Sequence, residues 1–346
     1  MTLEVRVHSD RSSFELPEWR TLFEKDPNSH IFSTPEWNRA WWAEFGAGKE
    51  LFVLTMHRAE EVVAVVPLYR KEEAGRRVLR FVGGIDLTDY VGPICAPDDL
   101  TQVARGLVEW LEQTDIAWDE LDGHNMPVPF GFAELLVDWS DRAGFDFILD
   151  QEETTAVLVL PKDWEAYLAG LDSKNRHELK RKRRRLGRDH PDARFRTSTD
   201  ETLERDLQTF VDMHRGTEGL KGHFMRREIA TFFERIASDF FPRGWLRLDF
   251  MEIGERAVAS TFGFELGHTF FLYNSAYEPD AARLSPGFVL VSELVKETID
   301  NERFKTFDFL RGPERYKYQL GSQAVPLNNV RVLNGTRSDS SARTMG

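Results

Sequence analysis

The chain has 346 residues, 41% of them hydrophobic, with 26 Phe and 9 Trp, so there is material for two domains with buried cores. Its formal net charge is −13, yet residues 174–188 hold nine Lys or Arg and one Glu, a local +8 against −21 for the rest. This balance excludes a generally basic nucleic-acid binder and fits a confined anion site. The single cysteine, Cys95, excludes an internal disulfide or a cysteine-built metal cage, and no apolar run approaches the roughly 18 residues of a membrane span. The N-terminal Met1-Thr-Leu-Glu-Val-Arg-Val lacks a basic region followed by an apolar stretch, so no signal peptide is expected and a cytoplasmic location follows.

Residues 16–46 predict helix, with Ser33 or Thr34 as N-cap, Pro35 as first helical residue, and Trp37, Trp41, Trp42 and Phe45 on one face packed into a core. Short apolar runs at 51–57, 61–69 and 78–82 predict strands, and the spacing of Val103, Leu107, Val108 and Leu111 predicts a helix over 101–113. Glu120-Leu-Asp-Gly-His and Val137-Asp-Trp supply further candidate strands. The same β-β-β-α-β order returns at 245–252, 257–264, 269–274, 287–300 and 306–310. The match is of pattern, not of residue identity, and predicts two copies of one α/β unit. Between them, 161–240 reads as a helical insertion whose second helix is the basic segment. The expected division is 1–155, 156–333 with the insertion, and a disordered polar tail at 334–346.

Several segments carry residues suited to chemistry. In Arg283-Leu-Ser-Pro-Gly-Phe-Val, Ser285 can cap a helix and Pro286 can open it, leaving the amides of Gly287, Phe288 and Val289 and the charge of Arg283 for an anion; an ordinary capped helix is the competing reading. Lys317, between two tyrosines, can stabilise an oxyanion, or simply lay its stem on an aromatic ring. Asp308, in the apolar strand Phe307-Asp-Phe-Leu, can serve as a base, hold Lys317, or form a structural ion pair. The basic helix, with Leu179 and Leu186 as its narrow apolar stripe, can be a solvated face, can hold a phosphorylated substrate through Arg176 and Lys180, or can touch nucleic acid or anionic lipid. His214 and His223 stand on a Gly-rich loop, with a spacing that matches no metal motif, so no metal is expected. Asp89 and Tyr90 form a polar loop in the first half. There is no Gly-x-Ser-x-Gly elbow and no Walker-type loop, which disfavours a serine hydrolase or P-loop NTPase.

Taken in order, Phe32-Ser-Thr-Pro-Glu-Trp, Val65-Val-Pro-Leu-Tyr, Asp89-Tyr, the basic 173–186 helix, Met213-His-Arg, Ser285-Pro-Gly-Phe and Asp308-Phe-Leu-Arg-Gly-Pro-Glu-Arg-Tyr-Lys give the chain a family likeness. Over about residues 30–325 it resembles the BioF-like/CelD-type acetyltransferases of the GNAT superfamily, relatives of the Fem-type aminoacyl transferases. The resemblance implies an α/β (α+β) fold of two tandem GNAT-like domains, each a mixed central sheet flanked by helices. It implies acetyl-CoA or another acyl-CoA as co-substrate, bound at Arg283 to Val289, and direct acyl transfer to an amine or hydroxyl. The acceptor, a sugar, a cell-envelope precursor or an amino compound, is expected in a cleft between the domains near Asp89, Tyr90, His214, Arg215, Tyr273 and Asn274. Tyr316-Lys317 resembles the Phe-Lys element of Fem-type enzymes. Two features depart from the families: Arg283-Leu-Ser-Pro-Gly-Phe differs from the usual Arg/Gln-x-x-Gly-x-Gly/Ala loop, and the 161–240 helices are too interrupted for a Fem-type arm. An aminoacyl-tRNA donor and a non-catalytic polyanion-binding module are the alternatives. No stable nucleic-acid partner is expected, and membrane contact is at most peripheral.

Overall fold

The structure is a computed structural model that describes residues 2–216 and 224–335. It divides into two units: unit 1 runs to Thr154 and resumes at Val325, and unit 2 is Thr155–Ala324.

Unit 1 opens with β1 (Glu4–His8), followed by helices α1 (Pro17–Lys25) and α2 (Pro35–Phe45), each started by a proline whose fixed φ suits a first helical turn. Thr34 Oγ1 caps α2 by accepting the Trp37 N–H at 3.2 Å, and Trp37, Trp41 and Trp42 are buried, as their helical spacing predicts. Strands β2 (Glu50–Arg58), β3 (Glu61–Glu73) and β4 (Arg76–Phe81) then pair antiparallel in succession, β1 adding to β2 and the two-residue β5 (Ile94–Cys95) to β3. Helix α3 (Leu100–Gln113) buries Val103, Leu107, Val108 and Leu111 on the core side. The chain returns as β6 (Glu120–Pro127), parallel to β4.

Helix α4 (Phe132–Ala143) comes next and contains Val137-Asp-Trp. That segment is therefore not a strand: Phe132, Ala133, Leu136 and Ser140 are buried at helical spacing, and Gly144 closes the helix in the left-handed region. The long β7 (Asp146–Val159) carries the chain from unit 1 into unit 2.

Unit 2 begins with α5 (Trp164–Gly170) and the basic helix α6 (Ser173–Asp189). The expected all-helical insertion is interrupted by an edge strand, β8 (Ala193–Thr197), which pairs with the later strand Leu246–Ile253 and buries too little apolar surface to show in the sequence pattern. Helices α7 (Leu203–Arg215) and α8 (Arg227–Phe240) follow. Then come β9 (Leu246–Ile253), β10 (Arg256–Leu266) and β11 (Thr269–Tyr277), antiparallel to one another, helix α9 (Pro286–Asp300), and β12 (Thr306–Arg311), parallel to β11. Both units thus repeat three antiparallel strands, a helix and a fourth strand parallel to the third.

After the short α10 (Arg315–Gln319), the last strand, β13 (Gln323–Leu333), pairs antiparallel with β6. The expected second domain, 156–333, is therefore too long at its end. Leu327, Val330 and Val332 are fully buried, and the two valines join Leu79, Leu107 and Leu121 in the core of unit 1. Asn334, placed in the tail by its polarity, is fixed by bonds to Asp119 and Trp118 backbone oxygens; the remainder of the expected disordered tail, 336–346, lies outside the described residues, as does His223.

Candidate active site

In unit 2, β11 and β12 pair side by side only through Thr269–Phe271 and Thr306–Asp308. Beyond that point the partners change. β12 continues against β7, where Arg311 faces Thr155 across a register shift, and Leu310 takes a positive φ of 59°. On β11, Phe262 of β10 pairs with Asn274 and Gly263 with Leu272, so Tyr273 is the extra residue of a bulge. A bulge bends its strand and sharpens the twist. A cavity of about 310 Å³ lies where the two strands part. Leu272, Tyr273, Asn274 and Ser275 form one wall, Phe309 and Arg311 the other. Glu314, Tyr316 and Lys317 follow from the segment after β12, and His214 from the last turn of α7 with the neighbouring Phe224 closes the site.

Four of the residues singled out in the sequence meet here: His214, Tyr273, Asn274 and Lys317. Lys317 is 3% exposed. Its ammonium donates to the carbonyls of Leu310 (3.2 Å), Arg311 and Gly312 (3.4 Å) and pairs with Glu314 Oε2 at 3.0 Å. An ammonium has three protons, so this lysine is engaged in holding residues 310–312 in their turn. Asp308 is not among the cavity residues. Its Oδ1 accepts the Leu310 N–H at 2.8 Å and the Thr155 hydroxyl at 3.1 Å, so it braces the strained Leu310 instead of serving as a base in the cavity. Tyr316 has its phenol pKa pushed up, first by burial and then by the charge of Glu314, with a Ser275 hydrogen bond acting the other way. His214 is 2% exposed and packs its ring on Phe210 at 4.9 Å. Tyr273 leans on Phe233 and Phe264.

The expected anion cradle is a helix start of 15 residues, α9, reached through a turn at Pro279–Leu284. Ser285 is the N-cap residue, but with φ 55° and ψ 49° it makes no side-chain cap bond, contrary to the capping role expected for it. Its carbonyl accepts the Val289 N–H at 3.1 Å, so Val289 is not an anion donor. Pro286 has no N–H, which leaves Gly287 and Phe288 as the first-turn amides beyond reach of an intrahelical acceptor. A Cβ on Gly287 would meet Tyr277, at the end of β11, at an ordinary 3.6 Å, so the cradle adjoins the strand that walls the cavity. Arg283 is exposed on the approach. The Lys182 ammonium of α6 stands 3.9 Å from the Phe288 ring centre, a cation beside this turn that sequence spacing did not reveal.

Other expected site residues sit elsewhere. The Arg176 guanidinium faces the carbonyls of Leu168, Ala169 and Leu171 at the end of α5, which diverts it from phosphate binding. Lys180 lies exposed on α6, and Arg215 Nε donates to the Met225 carbonyl at 3.1 Å. Asp89 and Tyr90 belong to unit 1, where Tyr90 packs against His30 and Phe32. Ser275, Phe309, Arg311 and Glu314 were not singled out, and Tyr316 only as the neighbour of Lys317. All but Ser275 stand in the run Asp308 to Lys317 that carries the family likeness, and that run was the available signal.

Residues 173–318 match the family model described as acetyltransferase (GNAT) domain. That match makes the segment a GNAT-type domain and the protein an acyltransferase enzyme. Among solved structures, the fold is similar to FemX (12% identity, 96% of this chain and 98% of that one, TM-score 0.66). It is also similar to a conserved protein of unknown function from Bacteroides thetaiotaomicron (12%, 95% and 100%, 0.60). A third similar structure is the C-terminal domain of a putative lysylphosphatidylglycerol synthetase from Agrobacterium fabrum (12%, 94% and 93%, 0.58). No curated protein sequence matches the chain. Among the described residues no helix is long and apolar enough to cross a membrane.

Proposed function

We propose that unit 2 transfers an acetyl or other acyl group from acyl-CoA directly to an amine or hydroxyl, in a cytoplasmic setting. The parting of β11 and β12 is the observation that carries this reading. It opens one wall of backbone and polar side chains, Tyr273 to Ser275, to a thioester, while the α9 start offers the Gly287 and Phe288 amides to a pyrophosphate beside the same strand. Arg283 and Lys182 add positive charge on the nucleotide side. The donor carbonyl would be polarised by a backbone N–H of the bulged strand, since the Lys317 ammonium is engaged with the carbonyls of residues 310–312. Asn274, Ser275 and Arg311 give the cavity hydrogen-bonding groups suited to a polyhydroxylated acceptor, so a sugar or cell-envelope precursor is the class to screen first.

Calorimetric titration with acetyl-CoA tests the donor. Saturable one-to-one binding and thiol release with an acceptor are expected. Binding of aminoacyl-tRNA in its place would move the reading to a Fem-type aminoacyl transferase. Salt-sensitive binding of polyanions to α6 with no acetyl-CoA affinity would move it to a non-catalytic module.

A further inference from the structure

The reaction needs a proton acceptor, because an attacking amine or hydroxyl must shed a proton as it becomes an amide or ester. The cavity offers few groups able to take one. Arg311 is a guanidinium and always charged. The Nζ of Lys317 is taken up by three carbonyls and Glu314. Glu314 faces that ammonium and folds so closely over Gly312 that a Cβ there would lie 2.3 Å from its Oε2, so its carboxylate is committed to the turn. The Tyr316 phenol is displaced upward by burial and stays protonated near neutrality. Asp308 is not among the cavity residues.

From this geometry we infer that His214 is the general base of the acyl transfer. The inference rests on the acyl-CoA reading above. His214 projects from the last turn of α7, where the negative end of the helix favours an imidazolium, and its ring is steadied against Phe210 in a nearly water-free position. The acceptor's lone pair forms the new bond to the thioester carbon while its proton passes to the imidazole. The carbon–sulfur bond then breaks, and its electron pair leaves on the CoA sulfur, which takes a proton from solvent. The imidazolium returns its own proton to solvent when the product departs. The charged groups that line the cavity with the imidazole are Arg311 on β12, and Glu314 and Lys317 beyond it. Helix α7 packs on β10 and β11, where the neighbouring Met213 meets the neutral Ser260, and Phe210 beneath the imidazole meets Phe233 of α8.

The test uses the full chain with acetyl-CoA, followed by thiol release, first with water as the acceptor and then with a panel of primary amines. The wild-type rate should rise with unit slope through an apparent pKa in the imidazole range and then level. In His214→Asn the rate should fall by about 10²–10⁴-fold, the ascending limb should vanish, and acetyl-CoA affinity should stay within about twofold. His214→Gln serves if the asparagine variant does not melt cooperatively, and the wild-type profile decides even if neither folds. A variant that keeps wild-type rate and profile while binding acetyl-CoA overturns the assignment of His214 alone. So does a flat wild-type profile. A wild type that neither binds nor turns over acetyl-CoA removes the donor reading, and this assignment with it.

Discussion

Leu310 pays a conformational cost for its positive φ, and the structure shows what holds it there. Asp308 accepts its N–H and Lys317 takes its carbonyl. Asp308→Ala should cost about 1–3 kcal/mol, the penalty for orphaning a buried donor, and Lys317→Met about 2–4 kcal/mol, since it leaves buried carbonyls without their cation. Urea denaturation measures both; losses under about 0.5 kcal/mol would mean that the turn holds itself. In unit 1 two buried groups shift in opposite senses. Burial lifts Asp26 to about 6 and drives His30 down to about 3. For Asp26, raised above its unfolded value, the contribution to stability is full below pH 3.8 and is lost as pH rises through about 6. For His30, depressed, the contribution is present above pH 6.5 and is lost as pH falls toward about 3. Asp26→Asn should therefore gain about 1–3 kcal/mol at pH ~8 and nothing at pH ~4. Thermal melts at the two pH values read this directly, and an equal gain at both would contradict the burial argument.

Among the elements, those that announce themselves are the ones whose burial repeats along their own length. Helix α3 and strands β2 and β3 are legible because Leu107 and Leu111, or Phe52, Leu54 and Met56, meet one core with one period. The partner of β13 is not legible, because alternation names a strand but not the strand it will pair with. The cavity was legible in part: His214 and Lys317 stand in polar, oddly composed segments, whereas the bulge at Tyr273 and the turn at Leu310 depend on pairing between strands far apart in sequence. The basic helix shows the same limit. Its charge is plain in the sequence, but the direction of each guanidinium is not. Arg176 points back to cap α5, so Arg176→Ala should cost about 1–2 kcal/mol of stability and leave acetyl-CoA affinity unchanged. A weakened affinity with unchanged melting would return this arginine to the phosphate role that its position in a cationic run first implied.

At the scale of the whole molecule, the repeated β-β-β-α-β order is used twice with different outcomes. Unit 2 carries the parted strands, the cavity and the helix start that together make the proposed acyl-transfer site. Unit 1 uses the same order to build a core that only β13 completes. Truncation after Ala324 should leave β6 with an open edge and remove Leu327, Val330 and Val332. The unit 1 melting transition should disappear while unit 2 still melts cooperatively. Calorimetry with limited proteolysis would show it, and an intact unit 1 transition would contradict the pairing described here. The return of β13 also bears on biosynthesis. Every residue of unit 2 precedes Val325 in translation, so this acyl-transfer half can be finished while the half begun first still waits at the ribosome for its closing strand. The half begun first thus depends longest on chaperone shelter.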